Sequence, residues 1–213
     1  MKAKTAKDPL DPSTEEKIKN AARQIFTQKG YAGTRTRDIA EEAGINLALL
    51  NYYFRSKEKL FDIIMLESMR GFIQSIVGIF NDETTSLENK IQSIVNHYID
   101  MLTKQPELPL FVLSELKSNP GMLITKMNLK EHLTGSYFFR QIQEAIKSGR
   151  MPALHPLHFF MNMMGLIVFP FVGSPILKNV GGINQEEFDW LMQRRKTLIP
   201  LWIKSMMEMK YVP

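Results

Sequence analysis

The sequence predicts an all-α protein: a small N-terminal helix-turn-helix domain followed by a larger helical domain. Three features carry that expectation. A capped apolar stripe at helical spacing begins at Ser13, two short helical patterns meet at Gly44, and beyond Thr84 the periodicity is helical, with no strand or repeat pattern.

Residues 1–12, rich in Lys and Asp with Pro9 and Pro12, read as a flexible tail. Ser13 and Glu16 then stand at capping-box spacing, each side chain able to satisfy a backbone donor at a helix start. Ile18, Ala21, Ala22, Ile25 and Phe26 follow on one face, and Gly30 ends the run. A short helix is expected from Thr36 to Ala43, with Ile39 and Ala40 inward. Gly44 terminates it, since glycine takes the left-handed conformation without a Cβ penalty. Asn46 caps a second short helix, in which Leu50 and Phe54 share a face. This is the helix-turn-helix layout, and because such short helices are marginal alone, the stripe from Ile18 to Phe26 supplies their backing. The helix-turn-helix domain is therefore expected to span residues 13–56.

Residues 57–213 form the expected second domain. After Ser56, a helix carrying Leu60, Phe61, Ile64, Met65, Phe72, Ile76 and Phe80 runs to Asn81. About 24 residues make a rod of roughly 36 Å, long enough to carry movement from one domain to the other. Further helices are expected over 86–104, 107–117, 120–148, 155–173 and 184–209. The breaks between them fall at Pro106, Asn119-Pro120, Gly149 to Pro152, and Gly173 to Gly182. The last helix has one apolar stripe and a kink at Pro200. The helix before it is apolar nearly all round, so one side faces its own domain and the other is expected to meet a second subunit.

Composition narrows the class. The chain has 213 residues, 44% hydrophobic and 23% charged, enough for a sizeable core. Its +5 charge is compatible with an acidic partner. Without cysteine there is no disulfide framework, zinc-thiolate site or cysteine nucleophile. No apolar run follows the N-terminal KAKTAKD, and Leu157 to Val172 is broken by His158, Asn162, Gly165 and Pro170, so no signal or membrane span is expected and the cytoplasm is the default. No serine elbow, P-loop, dinucleotide fingerprint or paired-carboxylate motif is present, hence no enzyme, catalytic residue or cofactor is expected. His155 and His158 lack a third ligand nearby and are not read as a metal site. Glu41-Glu42 and Glu186-Glu187 read as solvated helix faces.

The ordered run of Ala22, Phe26, Gly30-Tyr31, Thr34, Arg37-Asp38-Ile39-Ala40, Ala43-Gly44-Ile45, Leu50, Tyr52-Tyr53-Phe54, Ser56-Lys57-Glu58 and Leu60-Phe61 resembles the DNA-binding domain of the tetracycline-repressor (TetR-type) family of bacterial transcription regulators. The resemblance covers about a quarter of the chain. It implies a homodimer on a near-palindromic double-stranded operator, with a small-molecule effector in the second domain. The departures are Asn46 where Ser is usual, Leu47 and Leu49 where a polar residue and Thr or Ser are usual, and Asn51 where Tyr is common. All four lie on the recognition helix, so they bear on the operator sequence rather than the fold.

Within that motif Thr34, Arg35, Thr36, Arg37 and Lys57 are expected at phosphates, through hydroxyls, cations and helix N-terminal N–H groups. Base reading falls to Asn46, Leu47, Ala48, Asn51 and Tyr52. Asn51 pairs with adenine or sits in solvent, and Leu47 and Ala48 meet thymine methyl groups. Tyr52 and Tyr53 can reach phosphate through their hydroxyls, one of them contributing to the small core. Leu49 packs locally.

Fourteen methionines fit either an adaptable pocket or a methionine-rich core. A pocket for a partly apolar effector would involve Met65, Met69, Phe72, His97, Met101, Phe138, Gln141 and Met164. By the resemblance, the last two helices of each protomer form a four-helix dimer interface, here with Phe159, Met163, Ile167, Phe188, Leu191, Leu198 and Trp202. The leading reading is a ligand-released repressor. An activator of the same fold, a helical protein-interaction module and a small-molecule-binding enzyme are the alternatives.

Overall fold

The computed structural model describes residues 12–118, 121, 125 and 128–210, and these are helical apart from short connections. They divide into two compact units, one up to Ser68 and one from Met69. Most of the expected N-terminal tail, and the expected break at Asn119-Pro120, lie outside the described residues.

In the first unit, α1 (Pro12–Gly33) buries Ile18, Ala22 and Phe26 on its predicted stripe. Gly30, at φ 67 and ψ 170, breaks its helical geometry where the sequence places the stop. Helices α2 (Thr36–Glu42) and α3 (Leu47–Phe54) follow, burying Ile39, Ala40, Leu50 and Phe54. Full burial of a side chain such as Leu50 contributes ~1.5–3 kcal/mol. Helix α4 (Lys57–Asn81) adds Leu60, Phe61, Ile64 and Met65 to this core, with Phe26 and Phe61 edge-to-face at 5.0 Å. Glu67 fastens α4 to α1, accepting from Lys19 at 2.9 Å and Arg23 at 2.5 Å.

The division between units falls within α4, after Ser68. Among the described residues this is the one single helix long and apolar enough to cross a membrane. Its apolar positions are shared out between cores: four in the first unit, then Ile76 and Phe80 in the second.

The second unit is arranged around α5 (Leu87–Lys104), which packs against α8 (Tyr137–Lys147), α9 (Pro156–Val172) and α11 (Gln185–Met207). Ile91, Ile94, Val95, Ile99 and Leu102 of α5 meet Phe138, Ile142, Met163, Ile167, Ile199 and Ile203 in one core. Two polar ties fix α11 on α5: the Gln92 amide donates to the Lys196 carbonyl at 2.9 Å, and the Lys196 ammonium to Asp100 at 2.5 Å. Lys90, 1% exposed, directs its ammonium at the carbonyls of Asp82 and Thr85 and at the Thr85 hydroxyl, so its buried charge is fully ligated by the loop it closes.

Two expected boundaries are corrected. The single helix over 120–148 is interrupted: α7 (Leu129–Thr134) stops at Gly135 and α8 restarts after Ser136, whose hydroxyl accepts from Phe139 N–H at 3.2 Å. A Cβ at Gly135 would lie 2.7 Å from the Glu131 carbonyl oxygen, so Gly-Ser is both a steric requirement and a fresh N-cap. Conversely, the expected break from Gly173 to Gly182 contains a helix, α10 (Ser174–Gly181), bent 68° from α9. Pro175 sits in its first turn, where a proline opens a helix rather than ending one. The remaining connection carries α6 (Leu108–Ser118).

Candidate functional site

The turn between α2 and α3 follows from its residues. Gly44 takes φ 64, the Ile45 N–H reaches back to the Ala40 carbonyl at 3.0 Å, and the Asn46 Oδ1 accepts the Leu49 N–H at 2.8 Å. At the other end of α2, the Asp38 carboxylate accepts the Arg35 N–H at 3.3 Å and the Lys29 ammonium at 2.9 Å. Those partners, Lys29 first, hold the Asp38 carboxyl below its usual range. The helix N-terminus that begins at Thr36 is thereby fixed against α1.

Inward anchoring of Leu50 and Phe54 turns the rest of α3 outward. Asn46, Ala48, Asn51 and Tyr52 are exposed, as are Arg35 and Arg37, while Thr36, Leu47 and Tyr53 are half-buried. Tyr52 and Tyr53 pack edge-on at 5.8 Å. Cations, an amide, a phenol and small apolar side chains on one short helix and its neighbour match what a groove offers: phosphates, base edges and thymine methyls.

Two of the expected phosphate contacts sit differently. Thr34 is 2% exposed and its hydroxyl donates to the Gly30 carbonyl at 2.7 Å, so the side chain secures the break in α1 and cannot reach a ligand. Lys57 is half-buried; its ammonium donates to the carbonyls of Tyr31 at 2.9 Å and Thr34 at 3.0 Å, so two of its three protons are committed within the chain. Arg55, which is not among the residues expected from the sequence, is exposed at the end of α3 with φ 59, in a three-residue turn closed by Ser56 N–H to Phe54 carbonyl. A cation directly after a recognition helix was the signal for it. Among the described residues neither Arg37 nor Arg55 is held in a salt bridge.

The second unit contains a cavity of about 500 Å³, within the range of small-molecule sites. Met69, Phe72, Met101 and Met164 line it, together with Tyr98, Val112, Leu116 and His132 from α5, α6 and α7. The other residues considered for a pocket are placed elsewhere. Met65 is buried in the first unit, and Phe138 is in the core against Phe80 at 5.0 Å. Gln141 donates to the Thr85 carbonyl at 3.0 Å, and His97 lies behind the wall, stacked on Phe72 at 5.7 Å. His155 acts within its own helix, where its Nδ1 accepts the Leu157 N–H at 3.2 Å as the N-cap of α9.

On α9 and α11, Phe159, Met163, Ile167 and Phe188 face the chain's own core. Leu198 is half-buried, and Leu191 and Trp202 are exposed. The outer surface of α9, α10 and α11 also presents Phe169, Ile176, Val180, Trp190 and Leu201, each more than half exposed.

Residues 18–64 match the family model of bacterial regulatory proteins, tetR family. Over 195 residues the chain is 26% identical to the probable HTH-type transcriptional regulator YttP of Bacillus subtilis, covering 91% of this chain and 93% of that protein. In fold it is similar to a TetR-family transcriptional regulator of Mesorhizobium loti (TM-score 0.59, 18% identity, 93% and 98% of the two chains). It is also similar to the regulator FadR of Bacillus subtilis, solved with stearoyl-CoA (TM-score 0.58, 20% identity, 90% and 98%).

Proposed function

The chain belongs to the TetR family of bacterial DNA-binding transcriptional regulators, and from that premise we propose that it acts in the cytoplasm as a homodimeric repressor released by a small molecule. The observation that carries the proposal is the outward face of α3, where Asn46, Ala48, Asn51 and Tyr52 are exposed on a helix whose other face is locked by Leu50 and Phe54. Such a helix enters the major groove, with Arg35, Arg37 and Arg55 on the flanking phosphates. Two copies then read half-sites about one helical turn or somewhat more apart, which makes the operator near-palindromic. The outer surfaces of α9 to α11 pair the protomers.

The cavity supplies the control site. One continuous helix, α4, begins at Lys57 and contributes Met69, Phe72 and Ile76 to its wall. An occupant that favours one placement of α4 changes operator affinity, and a hundredfold change needs only about 2.7 kcal/mol of coupling. The protein works by binding, with no turnover of the occupant.

The test is binding of the purified protein to duplex from upstream of its own gene against random duplex. The proposal expects a preference of at least about a thousandfold and a steep loss of affinity with salt. Equal, salt-insensitive binding to both would remove it.

A further inference from the structure

The lining of the cavity defines the chemistry of what it takes. Among the described residues its walls are aliphatic and aromatic and include no Asp, Glu, Lys or Arg; the polar side chains are Tyr98 and His132. An ionised group brought into such a space gives up its hydration with little in return. A carboxylate facing an imidazolium at His132 would still take two charges out of water. Charge therefore works against occupancy, and apolar surface works for it.

With His132, Tyr98 is an exception in the wall. Tyr98 is partly buried, and among the described residues no group accepts from its hydroxyl. Burial raises the phenol well above its usual range, so it remains a protonated donor. Its ring is also pre-positioned. Phe72 meets it edge-on at 4.4 Å, Phe72 stacks on His97 at 5.7 Å, and His97 Nε2 lies 2.6 Å from the Ser75 hydroxyl. A donor held in this way, in a chamber whose other described lining is apolar apart from His132, is an address for one acceptor atom.

We propose that the cavity takes an uncharged, largely apolar molecule carrying a single hydrogen-bond acceptor, such as a ketone or ester, with Tyr98 donating to that acceptor. This rests on the cavity being the effector site. The occupant's hydrocarbon portion fills the space among Met69, Met101 and Met164, whose flexible thioethers adapt to its shape, and its acceptor satisfies the Tyr98 hydroxyl. Ligands lacking the acceptor leave that donor unmet, while ionised ligands pay for desolvation.

Displacement of the neutral fluorophore N-phenyl-1-naphthylamine by undecane, 2-undecanone and undecanoate, on the native protein and on Tyr98→Phe, tests this. On the native protein 2-undecanone is expected to bind tightest. Tyr98→Phe should weaken 2-undecanone by about fivefold to tenfold and leave undecane within about twofold. A ketone affinity unchanged by Tyr98→Phe, or undecanoate binding as tightly as the ketone, overturns the proposal while leaving the cavity as the site. Met164→Trp, checked for native circular dichroism, fills the space and should abolish all displacement. If no probe binds the native protein, or if Met164→Trp retains full binding, the effector site itself is lost along with the proposal.

Discussion

The ammonium of Lys57 lies 4.2 Å from the centre of the Tyr31 ring and 2.9 Å from the carbonyl oxygen of the same residue. With the further bond to the Thr34 carbonyl, the first residue of α4 clamps the irregular end of α1. Lys57→Met keeps the apolar stem and removes both bonds. Loss of stability of roughly 1–3 kcal/mol is expected by chemical denaturation. With its third proton on a phosphate, the same substitution should also lower the slope of log affinity against log salt by about 1. An unchanged slope with lowered stability would leave Lys57 as a clamp alone.

Arg37 and Asn51 separate positioning from reading. Both are exposed, so Arg37→Ala and Asn51→Ala should each change stability by no more than about 0.5 kcal/mol. Arg37→Ala should weaken binding to every duplex and reduce the salt slope by about 1. Asn51→Ala should change which base is preferred at one position of each half-site, by ~1–3 kcal/mol, with the slope intact. Selection from a randomised operator library distinguishes them, and indistinguishable profiles would contradict the division of roles.

How legible these features were depended on whether the cause was local. The stop at Gly30, the turn at Gly44, the Asn46 cap and the inward Leu50 and Phe54 could all be read because each follows from neighbouring residues. Thr34 and Lys57 were legible as polar residues beside a helix start. Their partners are backbone carbonyls of the broken helix end, and residue type carries no information about a carbonyl's direction. The methionine count suggested a pocket, and Met69, Met101 and Met164 do line a cavity. Tyr98 and His132 were missed because a lining role depends on where five helices leave space. For α9, an all-round apolar sequence implied two covered sides, but could not assign Phe159 and Met163 to the inner side and Phe169 to the outer.

Acid should loosen the first unit through two carboxylates. Lys19 and then Arg23 hold Glu16 below its ordinary 4.5, and Lys29 and then the Arg35 N–H hold Asp38 below its ordinary 3.8. Folding therefore favours the ionised forms. Their contribution is complete above those ordinary values and is lost as pH falls through the lowered ones. The denaturation midpoint should be level from about pH 7 to 5 and fall between about pH 4 and 2. In Glu16→Gln/Asp38→Asn the midpoint should start lower at neutral pH and fall less steeply in acid. An acid slope equal to that of the native protein would assign the effect to other groups.

The outer face of α9 to α11 should decide the oligomeric state. Phe169 is 63% exposed and Trp190 is 61% exposed, on helices that pack against each other, which is a large apolar display for a solvated surface. Trp202 is braced from behind: the Arg195 guanidinium lies 5.1 Å from its ring and donates to the Leu166 carbonyl at 2.7 Å. Rigid aromatics of this kind carry a disproportionate share of interface energy. Truncating one costs about 2 kcal/mol per copy, and so at least about thirtyfold in the dimer dissociation constant, since the variant carries the change in both protomers. Trp190→Ala should therefore shift the monomer–dimer equilibrium measurably in sedimentation. Phe169→Glu/Trp202→Glu, which places charges on exposed aromatics of α9 and α11, should give monomers at micromolar concentration with native circular dichroism. Because a monomer offers one recognition helix instead of two, it should also lose its advantage for a two-half-site operator over a single half-site. A double variant that stayed dimeric would move the interface away from these helices.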